Sequence, residues 1–168
     1  MLSGIEIFLQ LFYKESIIKK LSLEQLNVKV MEDNIQYLFV YGSLHSGFKN
    51  PAYEYLSQHF ELIGAAVAQG SLYHNKKYPI AIATTDDHII KGEVYKIKKM
   101  EEFEWVIAQL DDYEGLNVMP GETNLYKRSI TEVNTGSGTV AAWVYWYNGS
   151  IDGLSRILSG DVFDFFKQ

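Results

Sequence analysis

Apolar residues recur with a helical period at the start of the chain and with a strand-like period after residue 36. The first pattern places an apolar residue at i, i+3, i+4 and i+7, at Ile5, Phe8, Leu9 and Phe12. Ser22 and Gln25 then predict a capped second helix over 23–30. Two interpretations of segment 1–34 stay open: an N-terminal helical extension that packs or binds a partner, or residues that precede a natural start at Met31.

The segments after residue 36 are short apolar runs rich in aromatic and β-branched residues. Runs of this kind, separated by polar turns, are typical of buried strands. The first covers 37–41 and stops at Gly42. Five further strands are predicted over 62–73, 78–84, 89–98, 125–133 and 139–147, with a hairpin joining the last two.

A helical period returns once within this β-rich region. Apolar residues at Phe103, Val106, Ile107 and Leu110 predict a helix over 101–113. Shorter helices are predicted over 53–60, 152–158 and 161–166. Because neighbouring strands are joined by short turns, we expect antiparallel or mixed pairing. The predicted fold is α+β, a small mixed, largely antiparallel, barrel-like sheet with flanking helices, in one domain over 35–168.

Composition limits the partners and compartments of this chain. Of 168 residues, 47% are hydrophobic and 21% charged, as in ordinary globular domains. Lys+Arg number 15 and Asp+Glu 21, a net charge of −6, so no nucleic-acid partner is expected. We also expect no membrane partner, because no apolar run approaches the roughly 18 residues that a spanning helix needs. A signal peptide fits the first residues poorly, which favours a cytoplasmic location.

Several catalytic chemistries find no pattern in the sequence. Cysteine is absent, which excludes disulfides, thiolate metal sites and cysteine nucleophiles. No two of the four histidines have a metal-ligand spacing, and neither a nucleophile elbow nor a dinucleotide or phosphate loop is present. We therefore expect no metal and no cofactor, while composition alone leaves a Ser-His-Asp triad open.

The loop that follows the first strand, Tyr41-Gly42-Ser43-Leu44, is a candidate binding element. Gly42 permits a sharp turn and lets a ligand approach the bare backbone. Successive free N–H groups beyond a strand end can hold a carboxylate or a developing oxyanion. The alternative is a tight turn that only ends the strand.

A second candidate is the acidic end of the predicted helix, Leu110-Asp111-Asp112-Tyr113-Glu114-Gly115. Carboxylates at a helix C-terminus oppose the helix dipole. Glu114 lies four residues after Leu110, so it faces the same side if the helix reaches it. Desolvation there would raise its pKa and make it a better base. Alternatively Glu114 is exposed, and the aspartates interact locally with the turn.

Together these motifs resemble the gamma-glutamylcyclotransferase-like family, including its gamma-glutamylamine cyclotransferase branch. The resemblance runs from about residue 37 to 166, and its elements occur in family order at 39–44, 70–73, 78–81, 92–95, 110–115, 126–128, 142–145 and 159–161. One departure is Val162, where an aromatic residue is expected. The first 30 residues have no counterpart.

The resemblance implies an acyltransferase-type cyclisation. The α-amine of a small gamma-glutamyl substrate attacks its own γ-carbonyl, giving 5-oxoproline and a free amine or amino acid. Glu114 would be the catalytic base and then acid, and Tyr41, Gly42, Ser43, Leu44 and Tyr126 would bind substrate. Arg128 lies two residues after Tyr126 and shares its face in a strand, so it could contact the substrate or brace an acidic neighbour, and it stays unassigned.

Three alternatives accompany this interpretation. Glu93 is a rival for the base, although its simpler role is an outward-facing strand carboxylate. A non-catalytic module could bind a small metabolite in the same pocket. The apolar helical face at residues 5–12 could also make the protein a homo-oligomer.

Overall fold

The computed structural model describes residues 19, 20, 22, 34–76, 78–119 and 121–167. The chain divides into two units, 1–35 and 36–168, and every strand and helix below belongs to the second. The helices predicted at 5–13 and 23–30 lie outside the described residues. The domain boundary near residue 35 and the self-association through that face therefore stay predictions.

Seven strands are present in the described part of the chain, one more than the sequence predicts. They are β1 (Tyr37–Val40), β2 (Phe60–Gln69), β3 (Ser71–Tyr73), β4 (Ile80–Ile82), β5 (Ile89–Ile97), β6 (Tyr126–Thr135) and β7 (Gly138–Tyr147). Five of them close a barrel in the order β1-β5-β2-β6-β7, and β3 and β4 form a separate two-stranded sheet.

The barrel closes through one parallel contact between β1 and β7. Leu38 is paired with Trp143 and Phe39 with Val144, whereas all other neighbours in the barrel are antiparallel. This architecture confirms the predicted α+β fold with a mixed, largely antiparallel, barrel-like sheet.

The prediction of one strand over 62–73 is wrong, because the chain forms two strands there, β2 and β3, which are separated at Gly70. A Cβ atom at Gly70 would lie 2.8 Å from the ring of Trp146, so the chain passes close to this buried side chain. Beyond that point β3 leaves the barrel and pairs with β4. Apolar residues continue across the break, and the pattern therefore does not reveal it.

Two α-helices flank the barrel, α1 (Pro51–His59) and α2 (Phe103–Tyr113). The Asn50 side chain caps α1 by accepting the Tyr53 N–H at 2.9 Å. Short 3₁₀ helices cover Ser46–Phe48, Met100–Glu102 and Val162–Lys167. No helix in the described ranges is long and apolar enough to cross a membrane.

The helix predicted over 152–158 is wrong. This segment forms turns, and Ile157 donates its N–H to the Leu72 carbonyl at 2.7 Å. An isolated bridge also joins Arg156 to Tyr73. The backbone here bonds to β3, which a local helix would prevent.

The interior of the barrel is filled by side chains from all its strands. Among the most completely buried are Phe39, Ile90, Val94, Val144 and Trp146. The four apolar positions that predict α2 are also its buried positions. Burial of one such side chain contributes about 1.5–3 kcal/mol to stability, so α2 is fixed mainly by packing.

We expect Gly92→Ala to destabilise the barrel strongly. A Cβ atom at Gly92 would overlap the Val40 carbonyl oxygen, and the Phe39 ring closes the other side. Backbone atoms of the barrel cannot shift without straining neighbouring strands. Urea unfolding should therefore show that the free energy of unfolding falls by about 2 kcal/mol or more. Gly136→Ala is the matched control, since nothing lies within 4 Å of the position that its methyl group would take. Equal midpoints for both variants would contradict this packing.

Candidate active site

A cavity of about 410 Å³ opens where β1 ends. Its walls come from the loop after β1, the C-terminal end of α2, the start of β6 and the chain's C-terminal segment. All six residues predicted from the sequence line it, namely Tyr41, Gly42, Ser43, Leu44, Glu114 and Tyr126. The loop and the acidic helix end, about 70 residues apart in sequence, therefore share one cavity.

Glu114 is held at the cavity by the way α2 ends. It is the C-cap residue, and its N–H still bonds to the Leu110 carbonyl at 2.9 Å. Gly115 follows with φ +72°, a left-handed conformation that favours glycine. The N–H groups of Gly115 and Leu116 bond back to Asp112 and Asp111. This is a Schellman turn, which fixes the backbone that carries the carboxylate.

The Glu114 carboxylate is partly buried and lacks donors that would stabilise its charge. Burial raises its pKa to about 7. No hydrogen bond reaches it from the residues that the structure describes. At neutral pH it therefore exchanges between a carboxylate and a carboxylic acid, as a group that both accepts and returns a proton must.

The loop that shares the cavity with Glu114 offers backbone donors to a ligand. Within the described ranges, no backbone acceptor faces the N–H groups of Gly42, Ser43 and Leu44. The loop is nevertheless well anchored, because Asn50 donates to the Ser43 carbonyl at 2.9 Å. Tyr113 donates to the Ser43 hydroxyl at 3.1 Å, which ties the end of α2 directly to the loop.

Tyr41 and Tyr126 line the same cavity in different ways. The Tyr41 hydroxyl donates to the Tyr145 carbonyl at 2.8 Å, so this residue presents mainly its ring and backbone. Burial raises the pKa of Tyr126, and the charge of Glu114 raises it further. Tyr126 is consequently a protonated hydroxyl close to Glu114.

Behind Glu114 lies an ionic network that sequence reasoning only partly anticipated. Arg128 binds Asp111 through two hydrogen bonds of 2.9 and 3.1 Å, and its guanidinium lies over the Trp143 ring at 4.4 Å. Tyr145 donates to the same carboxylate at 2.7 Å. The spacing placed Arg128 on the face of Tyr126, but nothing in the sequence indicated Tyr145.

Glu93 differs from its expected role as an outward-facing strand carboxylate. It is only 9% exposed and accepts hydrogen bonds from Ser46 and Tyr95. Burial alone would raise its pKa, but the hydrogen bonds from Ser46 and Tyr95 outweigh burial and lower it. Glu93 therefore stays ionised at neutral pH and is a poorer base candidate than Glu114.

His88 is a histidine that contacts both a serine and an aspartate, and it does not form a catalytic triad with them. No cluster of three metal-binding side chains occurs in the part of the chain that the structure describes. Ser71 and Asp86 both approach the same nitrogen of His88, Nδ1, at 3.0 and 3.8 Å. A triad needs its serine and carboxylate on opposite ring nitrogens, so this cluster is not one.

The mouth of the cavity is apolar and aromatic. Its exposed or partly exposed lining residues include Phe48, Tyr78, Tyr113, Leu125 and Phe166. Tyr78 and Tyr113 lie in or beside the motifs that carry the family resemblance and are candidates for a pocket lining on that ground, whereas Phe48, Leu125 and Phe166 are not assigned to the site from the sequence. Phe166 comes from the 3₁₀ helix Val162–Lys167, and no local pattern indicates that the chain's end returns to the first loop.

Comparison with known proteins places the chain in a family. The sequence model described as "Gamma-glutamyl cyclotransferase, AIG2-like" matches residues 38–164. The gamma-glutamylcyclotransferase family protein YtfP of Escherichia coli K12 is 31% identical over 128 residues, covering 76% of this chain and 96% of YtfP. The chain belongs to the gamma-glutamyl cyclotransferase, AIG2-like family.

Solved structures share the fold of this family member. The NMR structure of E. coli ytfP has a TM-score of 0.52 and 30% identity, covering 76% of this chain and 96% of that one. YkqA from Bacillus subtilis has a TM-score of 0.55 and 29% identity over 75% of this chain, but the match spans only 39% of YkqA. PH0828 from Pyrococcus horikoshii, with a TM-score of 0.53 and 23% identity, covers 79% of this chain and 93% of its own.

We expect Glu114→Gln to stabilise the protein above pH 7. The folded pKa of about 7 lies above the unfolded value of 4.5, so stability falls as pH rises from one value to the other, and the loss is complete above pH 7. The glutamine variant avoids this cost, which is at most about 3 kcal/mol at pH 8. Its advantage should vanish below pH 4, where both forms are neutral.

The measurement is urea unfolding of wild type and variant from pH 4 to pH 8. Glu104→Gln removes a carboxylate from an exposed position in the same helix and is the control. A gain that is equal at pH 4 and pH 8 would show that Glu114 is not held in a desolvated state.

Proposed function

We propose that the protein cyclises a gamma-glutamyl compound to 5-oxoproline and releases a free amine. The single observation that supports this best is the placement of Glu114, unpaired and with a pKa of about 7, on the same cavity as the loop Tyr41–Leu44. Membership of the gamma-glutamyl cyclotransferase family agrees with this chemistry. The alternative is binding of a small metabolite without turnover. That function does not require a carboxylate that titrates near neutral pH.

The proton transfers suit one carboxylate. The substrate's α-ammonium must lose a proton before its nitrogen can attack. Glu114 removes a proton from it, and the amine nitrogen attacks the γ-carbonyl carbon to close the ring. The C–N bond to the leaving amine then breaks as Glu114 returns the proton to that nitrogen. The ring nitrogen loses its second proton to the released amine, which leaves as an ammonium ion. Nucleophile and electrophile belong to one molecule, so holding the chain folded supplies much of the catalysis.

The loop supplies the binding contacts in this proposal. The free N–H groups of Gly42, Ser43 and Leu44 bind the glutamyl α-carboxylate, as backbone nests bind anions. The Tyr126 hydroxyl, near Glu114, orients the γ-carbonyl. The α-amine then lies within reach of Glu114, and the leaving amine extends toward the aromatic mouth.

Glu114→Gln should reduce kcat at least about a hundredfold, because it removes the general base. In the wild type, kcat/KM should fall as pH decreases through about 7, because the base must be ionised. The assay is release of 5-oxoproline from a panel of gamma-glutamyl amines and amino acids, with Glu104→Gln as control.

Two outcomes would contradict this proposal. Turnover that survives Glu114→Gln excludes Glu114 as the base. Binding of 5-oxoproline by the wild type, with no release of product from any member of the panel, identifies a binding module instead.

The aromatic mouth should govern the leaving amine. Phe166 lines the cavity yet is 54% exposed, so its removal should leave folding intact. Phe166→Ala should raise KM about fivefold for a gamma-glutamyl arylamine, whose ring loses apolar contact, and little for gamma-glutamyl methylamide. Trp105→Ala, an exposed aromatic residue that does not line the cavity, is the control. Equal effects on both substrates would exclude this role.

A further inference from the structure

Glu93 lies on β5, next to the end of β1 and the start of the loop Tyr41–Leu44. In the pairing of β1 with β5 it is opposite Val40, the last residue of β1. Its carboxylate extends to the loop, where it accepts the Ser46 N–H at 2.9 Å and the Ser46 hydroxyl through its other oxygen. One side chain of the barrel thus binds a loop residue twice.

The charge of Glu93 is bound by neutral donors. Besides Ser46, the Tyr95 hydroxyl donates to it at 2.7 Å from the same strand. His45 Nδ1 lies 3.5 Å from the carboxylate, but this nitrogen accepts the Gly47 N–H at 3.0 Å and so carries no proton. Burial lowers the pKa of His45 despite the neighbouring acids, in agreement with a neutral ring.

The hydrogen bonds along the loop divide at residue 45. The N–H groups of residues 42–44, which line the cavity, have no backbone acceptor among the described residues. The next four N–H groups, from His45 to Phe48, all donate hydrogen bonds. Three of those four acceptors belong to the loop itself, on Gly42 and His45. Glu93 is the one acceptor of the four that belongs to the barrel, so it joins this turn to β5.

We propose that Glu93 is a positioning residue, which anchors Ser46 and thereby holds the free N–H groups of residues 42–44 in place for the substrate carboxylate. The proposal rests on the proposed function only for the identity of that ligand. Glutamine cannot replace Glu93 fully. Its NH₂ group is itself a donor and would face the donors of Ser46 or Tyr95, from which the carboxylate accepts hydrogen bonds.

Kinetics of Glu93→Gln separate positioning from catalysis. We expect KM for a gamma-glutamyl amine to rise about tenfold, with kcat within about threefold, since substrate binding and not proton transfer is impaired. The inflection of kcat/KM near pH 7 should not move. Ser46→Ala keeps the backbone bond and should show a smaller rise in KM. Glu132→Gln, an exposed carboxylate on β6, is the control.

Three kinetic results would overturn the proposal. An unchanged KM at a temperature where the variant is folded would mean that Glu93 serves only stability. A hundredfold fall in kcat with a shifted pH inflection would make it a catalytic group. A larger effect of Ser46→Ala than of Glu93→Gln would place the anchor elsewhere.

Amide hydrogen exchange measured by NMR tests the anchor without turnover. The Ser46 amide should exchange at least about tenfold faster in Glu93→Gln than in the wild type, whereas the Val94 amide in β5 should not change. Equal Ser46 exchange in the two proteins would refute the anchor. If the wild type releases no 5-oxoproline but the Ser46 amide responds as expected, the proposed function fails and the anchor stands.

Discussion

Closure of the barrel through β1 is the constraint on which the site depends. This strand has only four residues, yet it pairs with β5 on one side and β7 on the other. A closed sheet leaves no unpaired edge, so β1 cannot slip without breaking two ladders. Where β1 ends, the chain must leave the barrel wall, and that exit is the loop that lines the cavity. The position of the loop is therefore a consequence of how the barrel closes.

Three carboxylates near this exit are distinguished by their donors. Asp111 is bound by Arg128 and Tyr145, and Glu93 by Ser46 and Tyr95. Glu114 has no donor among the described residues, and burial raises its pKa while that of Glu93 is lowered. Environments that drive the pKa values of neighbouring acids apart identify which group exchanges protons. The contrast therefore favours Glu114 as the group that titrates near neutral pH.

Local patterns predicted the parts of the fold that local sequence determines. The helical period found α2, and its buried positions are those of the pattern. The acidic helix end left two placements of Glu114 open, toward the core or exposed, and the family resemblance favoured the first. The glycine that ends the first strand likewise indicated either a binding loop or a simple turn, and the resemblance favoured the binding loop. Local patterns therefore located both motifs, and the resemblance gave them their roles.

Long-range contacts account for what the sequence did not show. The break at Gly70 depends on Trp146, from the last strand of the barrel, and the mouth depends on Phe166 from the end of the chain. The simpler role predicted for Glu93 was an outward-facing carboxylate, but β5 is buried on both faces from Gly92 to Tyr95. The turn after β1 covers the outer face of β5 at Glu93, through the hydrogen bonds of Ser46. The local pattern of a strand cannot predict a contact of this kind.

The uncompensated charge of Glu114 explains why its surroundings are so firmly bound. Desolvation and the negative end of the α2 dipole both oppose an anion at this position. The chain could relieve that cost by turning the carboxylate outward, were the helix end free to move. The Schellman turn, the Asp111–Arg128 pair and the Tyr113–Ser43 hydrogen bond remove this freedom. Rigidity around Glu114 is thus the condition under which a buried carboxylate remains unpaired and able to exchange a proton.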